Sequence, residues 1–90
     1  MEIKERNNSF YLGPDYQNRV GEITFHVKEG EIIVDHTYVD PSLRGQGLAF
    51  KLVEKVIEKA RNENKKIVPV CSYVKKVMEK NESFKDVYKK

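Results

Sequence analysis

The sequence predicts an α+β protein: a mixed sheet, antiparallel in its first strands, then a strand–helix–strand unit and a C-terminal helix. Three observations predict it. Short extended segments punctuated by turn residues fill the first forty positions. A glycine-rich stretch, Arg44-Gly45-Gln46-Gly47-Leu48-Ala49, then joins a strand to a helix. That helix is long and amphipathic, and one more short strand follows it. A strand–helix–strand unit of this length implies a parallel pair with a right-handed crossover.

Glu2–Asn7 and Ser9–Leu12 read as two short strands, with Asn7 and Asn8 at the turn between them. Gly13, Pro14 and Asp15 supply strong turn chemistry. Arg19–Lys28 alternates cleanly. Gly21, Ile23, Phe25 and Val27 take one face; Glu22, Thr24, His26 and Lys28 take the other. Glu29 and Gly30 make a tight hairpin turn. In Glu31–Val39, strict alternation puts Ile32, Val34, His36 and Tyr38 on one face and Ile33, Asp35, Thr37 and Val39 on the other. Apolar residues on both faces predict an interior strand, which Asp40 and Pro41 end.

The long helix is expected from Gly45 to Asn62, with Leu48, Ala49, Leu52, Val53, Val56, Ile57 and Ala60 recurring at three- and four-residue steps. Asn64 is its stop signal. Lys66–Val70 reads as a strand whose Pro69 makes it an edge. Ser72–Lys80 reads as a second helix with Val74, Val77 and Met78 inward. Ser83–Tyr88 reads as a last helical turn tucking Phe84, Val87 and Tyr88 under the sheet.

The glycine stretch carries the chemistry. Glycine allows positive φ and close approach of a ligand to the backbone. The first N–H groups of a helix have no internal partners and lie at the positive end of its dipole. Strand, glycine turn and helix start together suit a phosphate or pyrophosphate. Two familiar phosphate motifs fail here. Walker A needs Gly-Lys-Ser/Thr, where this chain continues Leu48, Ala49, Phe50. The dinucleotide fingerprint needs a small residue where Phe50 stands.

Composition bounds the rest. Ninety residues, 39% hydrophobic and 34% charged, make one soluble domain over residues 1–90. No apolar run approaches the roughly 20 residues of a membrane span. The first eight residues are polar, without a signal-peptide apolar region, and one cysteine excludes an internal disulfide and gives no metal-binding cluster. A cytoplasmic monomer, without membrane or metal, is expected. Net charge is +3, but 14 acids are interspersed among 17 bases. A solvated lysine-rich surface is preferred to a nucleic-acid patch.

Arg44–Ala49 fits Gln/Arg-x-x-Gly-x-Gly/Ala at the start of the helix that follows the fourth strand. The chain thereby resembles the GNAT superfamily of N-acetyltransferases. Val39–Ala49 and Val68–Val74, with its Pro-x-Cys-Ser-Tyr-Val run, are similar to the small YjdJ-type group. The resemblance covers nearly the whole chain and implies a GNAT-like sheet lacking the N-terminal acceptor helices. It implies acetyl-CoA as co-substrate, with Arg44, Gly45, Gln46, Gly47, Leu48 and Ala49 along the pyrophosphate. Tyr38 and Val39 would offer backbone groups to the pantetheine arm and the thioester, where the fourth and fifth strands splay apart. The implied reaction is acetyl transfer to an amine acceptor that the sequence does not name.

Two residues are candidates for catalysis. His36 lies on the strand leading to the glycine loop, and histidine titrates near neutrality. Its structural alternative is a hydrogen-bonded histidine within the sheet. Cys71 opens the second helix, where a helix N-terminus favours the thiolate; its alternative is a small buried hydrophobe. His26 reads as solvent-facing. Tyr73 could protonate a departing thiolate, as a tyrosine does in many GNAT enzymes, but reads better as an aromatic core residue. Two further functions remain: a CoA-binding module without turnover, and a small basic nucleic-acid-binding domain.

Overall fold

A computed structural model describes residues 2–89 of the protein; positions 1 and 90 of the expected 1–90 domain lie outside the described residues. Five strands form one sheet: β1 (Ile3–Arg6), β2 (Ser9–Leu12), β3 (Gly21–Lys28), β4 (Glu31–Val39) and β5 (Lys66–Pro69). Their spatial order is their chain order. The first three pairings are antiparallel, and β4–β5 is parallel. Helix α1 (Leu48–Glu63) crosses between β4 and β5, and α2 (Ser72–Lys80) follows β5. A 3-10 segment, Glu82–Val87, ends beside the sheet, where Tyr88 bridges Ile67 and Lys89 N–H donates to Ile67 O. The outer edge of β5 is therefore partly covered.

One apolar cluster holds the layers together. Ile23, Phe25, Ile32, Val34 and Ile67 of the sheet meet Leu52, Val53, Val56 and Ile57 of α1, joined by Val74 and Met78 of α2. Phe84 of the 3-10 segment lies against Phe50 of α1, ring centroids 5.9 Å apart. Among the described residues no helix lies over the opposite face of the sheet: Thr24 and Ile33 are half-buried, and His26, His36 and Tyr38 are exposed. Only the Asn7–Asn8 turn separates β1 from β2.

Three expectations need correction. Strict alternation along β4 fails, because Thr24 pairs with His36 while the next residue, Phe25, pairs with Val34. Asp35 is an extra residue, a β-bulge, and one extra residue inverts every side chain beyond it. His36 and Tyr38 therefore do not share a face with Ile32 and Val34. Thr37 and Val39 take the core side instead, and Val39 is buried while Tyr38 is 41% exposed. Second, α1 begins at Leu48 and not at Gly45, because Gly45 (φ 86°) and Gly47 (φ 74°) are both left-handed and cannot be helical. Third, Val27 is 45% exposed, since it lies at the tip of the hairpin closed by Glu29 and Gly30. Those two residues have the positive φ values a tight hairpin turn requires.

The stop of α1 is as the sequence predicts. Asn64 is left-handed at φ 55°, and Lys65 N–H donates to Ala60 O at 2.8 Å.

Candidate functional site

The bulge decides where β4 and β5 part. Their pairing runs from Glu31–Lys66 to Val34–Pro69 and stops at Asp35. Pro69 has no N–H to continue it. Val70 N–H and Cys71 N–H both turn onto Val34 O, at 2.9 and 3.1 Å, which folds the chain into α2. Beyond this point β4 runs on to Val39, paired among the described residues only with β3. Asp40 N–H donates to Val20 O at 2.7 Å. In an antiparallel ladder alternate N–H groups face alternate sides. Val39 N–H therefore points away from β3, into the space β5 has left.

The glycine loop lies at the end of that free strand. Asp40 accepts from Ser42 N–H and Ser42 Oγ, at 2.9 and 2.7 Å, and starts a 3-10 turn, Pro41–Leu43. Gly45, Gln46 and Gly47 then carry the chain into α1. A Cβ on Gly45 or Gly47 would meet nothing within 4 Å, so the loop has an open outer side. The first α1 hydrogen bond is Lys51 N–H to Gly47 O at 3.1 Å. The N–H groups of Leu48, Ala49 and Phe50 consequently have no carbonyl one turn back. This donor set suits a diphosphate, and the open glycines let one approach the backbone. Arg44 and Gln46 are exposed beside the loop, as is Lys51.

Cys71 is half-buried at the N-cap of α2, with Sγ 3.6 Å from Thr37 Oγ1. It stands on the core side of the gap. His36 stands on the uncovered side, opposite Thr24. The fold thus brings Cys71, Thr37 and Val39 to one gap but does not join His36 to Cys71. Tyr73 is 38% exposed and not a core residue. Burial and the nearby Cys71 push its phenol up, so it is protonated at neutral pH. Tyr38, Tyr73 and Val70 (65% exposed) leave large apolar surface around the gap. His26 is solvent-facing as expected, 3.7 Å from Asp35.

Sequence reasoning missed Thr37 as the neighbour of Cys71, and it missed the bulge. The signal was present: the apolar positions change parity between Val34 and Val39. It also missed Glu22, which is only 8% exposed on the otherwise open face. Its carboxylate accepts from Tyr16 Oη at 2.8 Å and Arg19 Nε at 2.9 Å. Burial pushes this carboxyl up, but hydrogen bonds from Tyr16, Ser9 and Arg19 outweigh it, and the net direction is down.

A surface depression lies at the other end of the β4–β5 pair, between Gly30, Lys66, Lys85 and Tyr88. Its lining is mostly charged and includes neither the glycine turn nor Cys71.

A family model described as GCN5-related N-acetyltransferase matches residues 9–87. No curated protein matches the chain. Among solved structures, a GCN5-like protein from Staphylococcus aureus is 46% identical, with a TM-score of 0.83, over 98% of this chain and 87% of its own. The ribosomal-protein-alanine N-acetyltransferase of Brucella melitensis biovar Abortus 2308 is 28% identical, with a TM-score of 0.62, over 80% of this chain and 59% of its own. Rv2747 of Mycobacterium tuberculosis, solved in complex with CoA, shares the fold at 17% identity and a TM-score of 0.57, over 88% of this chain and 62% of its own.

Proposed function

Because this chain belongs to the GCN5-related N-acetyltransferase family and is an acetyltransferase, we propose that it binds acetyl-CoA along Tyr38–Ala49 and transfers the acetyl group to an amine. The observation that carries this reading is the parting of β4 from β5 at Asp35, directly before a glycine turn with open N–H groups. In this reading Gly45, Gln46, Gly47, Leu48 and Ala49 hold the diphosphate with backbone N–H groups, and Arg44 adds charge. The pantetheine arm lies along Tyr38 and Val39, in the gap.

The thioester carbonyl then lies against Val39 N–H, a fixed donor for an oxygen that gains negative charge in the transition state. The amine arrives from the uncovered face, where His36 accepts its proton directly or through one water. Its nitrogen bonds to the acetyl carbon and the carbon–sulfur bond breaks. Tyr73, protonated at neutral pH, supplies the proton that the departing thiolate takes. Cys71 lines the pocket beside Thr37 and carries no acetyl group. The small YjdJ-type group is the proposed place within the family, resting on Val68–Val74.

The test is acetyl-CoA consumption by the purified protein with spermidine, a lysine-containing peptide and a free peptide N-terminus offered in turn. Acetylated amine formed above the spontaneous rate supports transfer. Saturable acetyl-CoA binding with no product from any amine favours a binding module without turnover.

A further inference from the structure

The uncovered face carries a structure that the acetyl-transfer reading does not use. A row of side chains crosses it through paired positions: Lys4, Tyr11, Glu22, Tyr38. The row ends at the free part of β4, beside the gap. Over it lies the connection between β2 and β3, residues 13–20, fastened at several points. Tyr16 and Arg19 both donate to the buried Glu22 carboxylate, and Arg19 Nη1 donates to Tyr16 O at 2.7 Å. The Tyr16 ring lies between two guanidinium groups, Arg6 at 3.8 Å and Arg19 at 3.9 Å from its centroid. Lys4 Nζ reaches Pro14 O at 2.8 Å.

A buried carboxylate is costly unless its hydrogen bonds are satisfied. Ser9 of β2 supplies one of its hydrogen bonds, and Tyr16 and Arg19 of the connection supply the others, so the carboxylate and the connection order each other. The far end of the connection is tied to the free strand: Val20 O accepts from Asp40 N–H, and Gly21 faces Val39.

We propose that Glu22 is a positioning residue of the acceptor side: it locks residues 13–20 as a wall beside Tyr38, at the acetyl end of the gap. This rests on the acetyl-CoA reading above.

The experiment compares amide spectra and hydrogen exchange of the wild type, Glu22→Gln and Tyr16→Phe, first alone, then with CoA, then with acetyl-CoA. Glu22→Gln keeps the shape and loses the charge. Tyr16→Phe keeps the ring between the arginines and loses one hydrogen bond, so it serves if Glu22→Gln does not fold. Without ligand, exchange at residues 15–19 should rise at least tenfold in Glu22→Gln and less in Tyr16→Phe. In the wild type, acetyl-CoA should shift residues 15–22 and Tyr38 where CoA does not, because only the acetyl group reaches the wall. In the variants this acetyl-specific shift should shrink, with acetyl-CoA affinity within a few-fold. A purely structural lock would not move that difference. Equal shifts from the two ligands at the wall, with both responding at 44–49, would overturn this inference alone. So would unchanged exchange in both variants. No response at 44–49 to either ligand overturns the cofactor reading and this inference with it.

Discussion

Cys71 and Glu22 are the residues whose surroundings say most. Cys71 meets Thr37 at 3.6 Å inside a gap defined by backbone, and direct attack by the amine needs no covalent carrier. Cys71→Ser is nearly isosteric. Acetyl-CoA affinity should stay within a few-fold and turnover should be partly retained. Wild-type protein incubated with acetyl-CoA should gain no acetyl mass. An added acetyl group on the intact protein that vanishes in Cys71→Ser would make the thiol the carrier. Glu22 gives a pH prediction. Its folded-state carboxyl is held below the ordinary glutamate value, which is about 4.3 in an unfolded chain. The stabilisation is fully present above that value and is lost as pH falls through the folded value. In urea titrations, wild type should lose more stability than Glu22→Gln between about pH 5 and pH 3. Other lowered carboxyls, such as Asp15 and Asp86, are common to both proteins and cancel in the difference. Parallel curves would remove Glu22 from the acid limb.

Among the elements, the bulge and the glycine turn make the proposed site. The bulge depends on residue count more than on identity. Deleting Asp35 would keep every β3–β4 pair, with Val39 inward and Tyr38 outward, but would remove the bulge, and the folded deletion variant should bind acetyl-CoA at least tenfold more weakly. Asp35→Ala keeps the count and should cost about 1 kcal/mol or less. Equal acetyl-CoA affinity in the deletion variant and the wild type, by calorimetry, would show that the extra residue does not shape the cofactor gap. Gly47→Val places a branched side chain at φ 74°, a strain of about 1–2 kcal/mol, and fills the open side of the loop. A folded Gly47→Val should bind acetyl-CoA at least tenfold more weakly. Equal affinity by calorimetry would move the diphosphate elsewhere.

Across the whole molecule, the fold was largely legible in the sequence. Turn residues, the helical stripe of α1 and the Asn64 stop are local signals, and each strand lies where its turns place it. Both helices close one face of the sheet. What was not legible arises between elements. The bulge is a mismatch of two strands, visible in sequence only as a change of parity from Val34 to Val39. The Glu22 lock joins β1, β2, β3 and the connecting segment, and a lone glutamate in an alternating strand reads as solvent-facing. The glycine motif was visible, but its position before the helix followed from two positive φ values. The measurement that tests the account most directly is an amide chemical-shift titration of the wild type with acetyl-CoA. Saturable shifts centred on residues 37–39, 44–49 and 70–72, on both sides of the β4–β5 gap, are predicted. Saturable shifts centred instead on residues 29–31 and 85–89, at the opposite end of the strand pair, or no shifts from a folded protein, would contradict it.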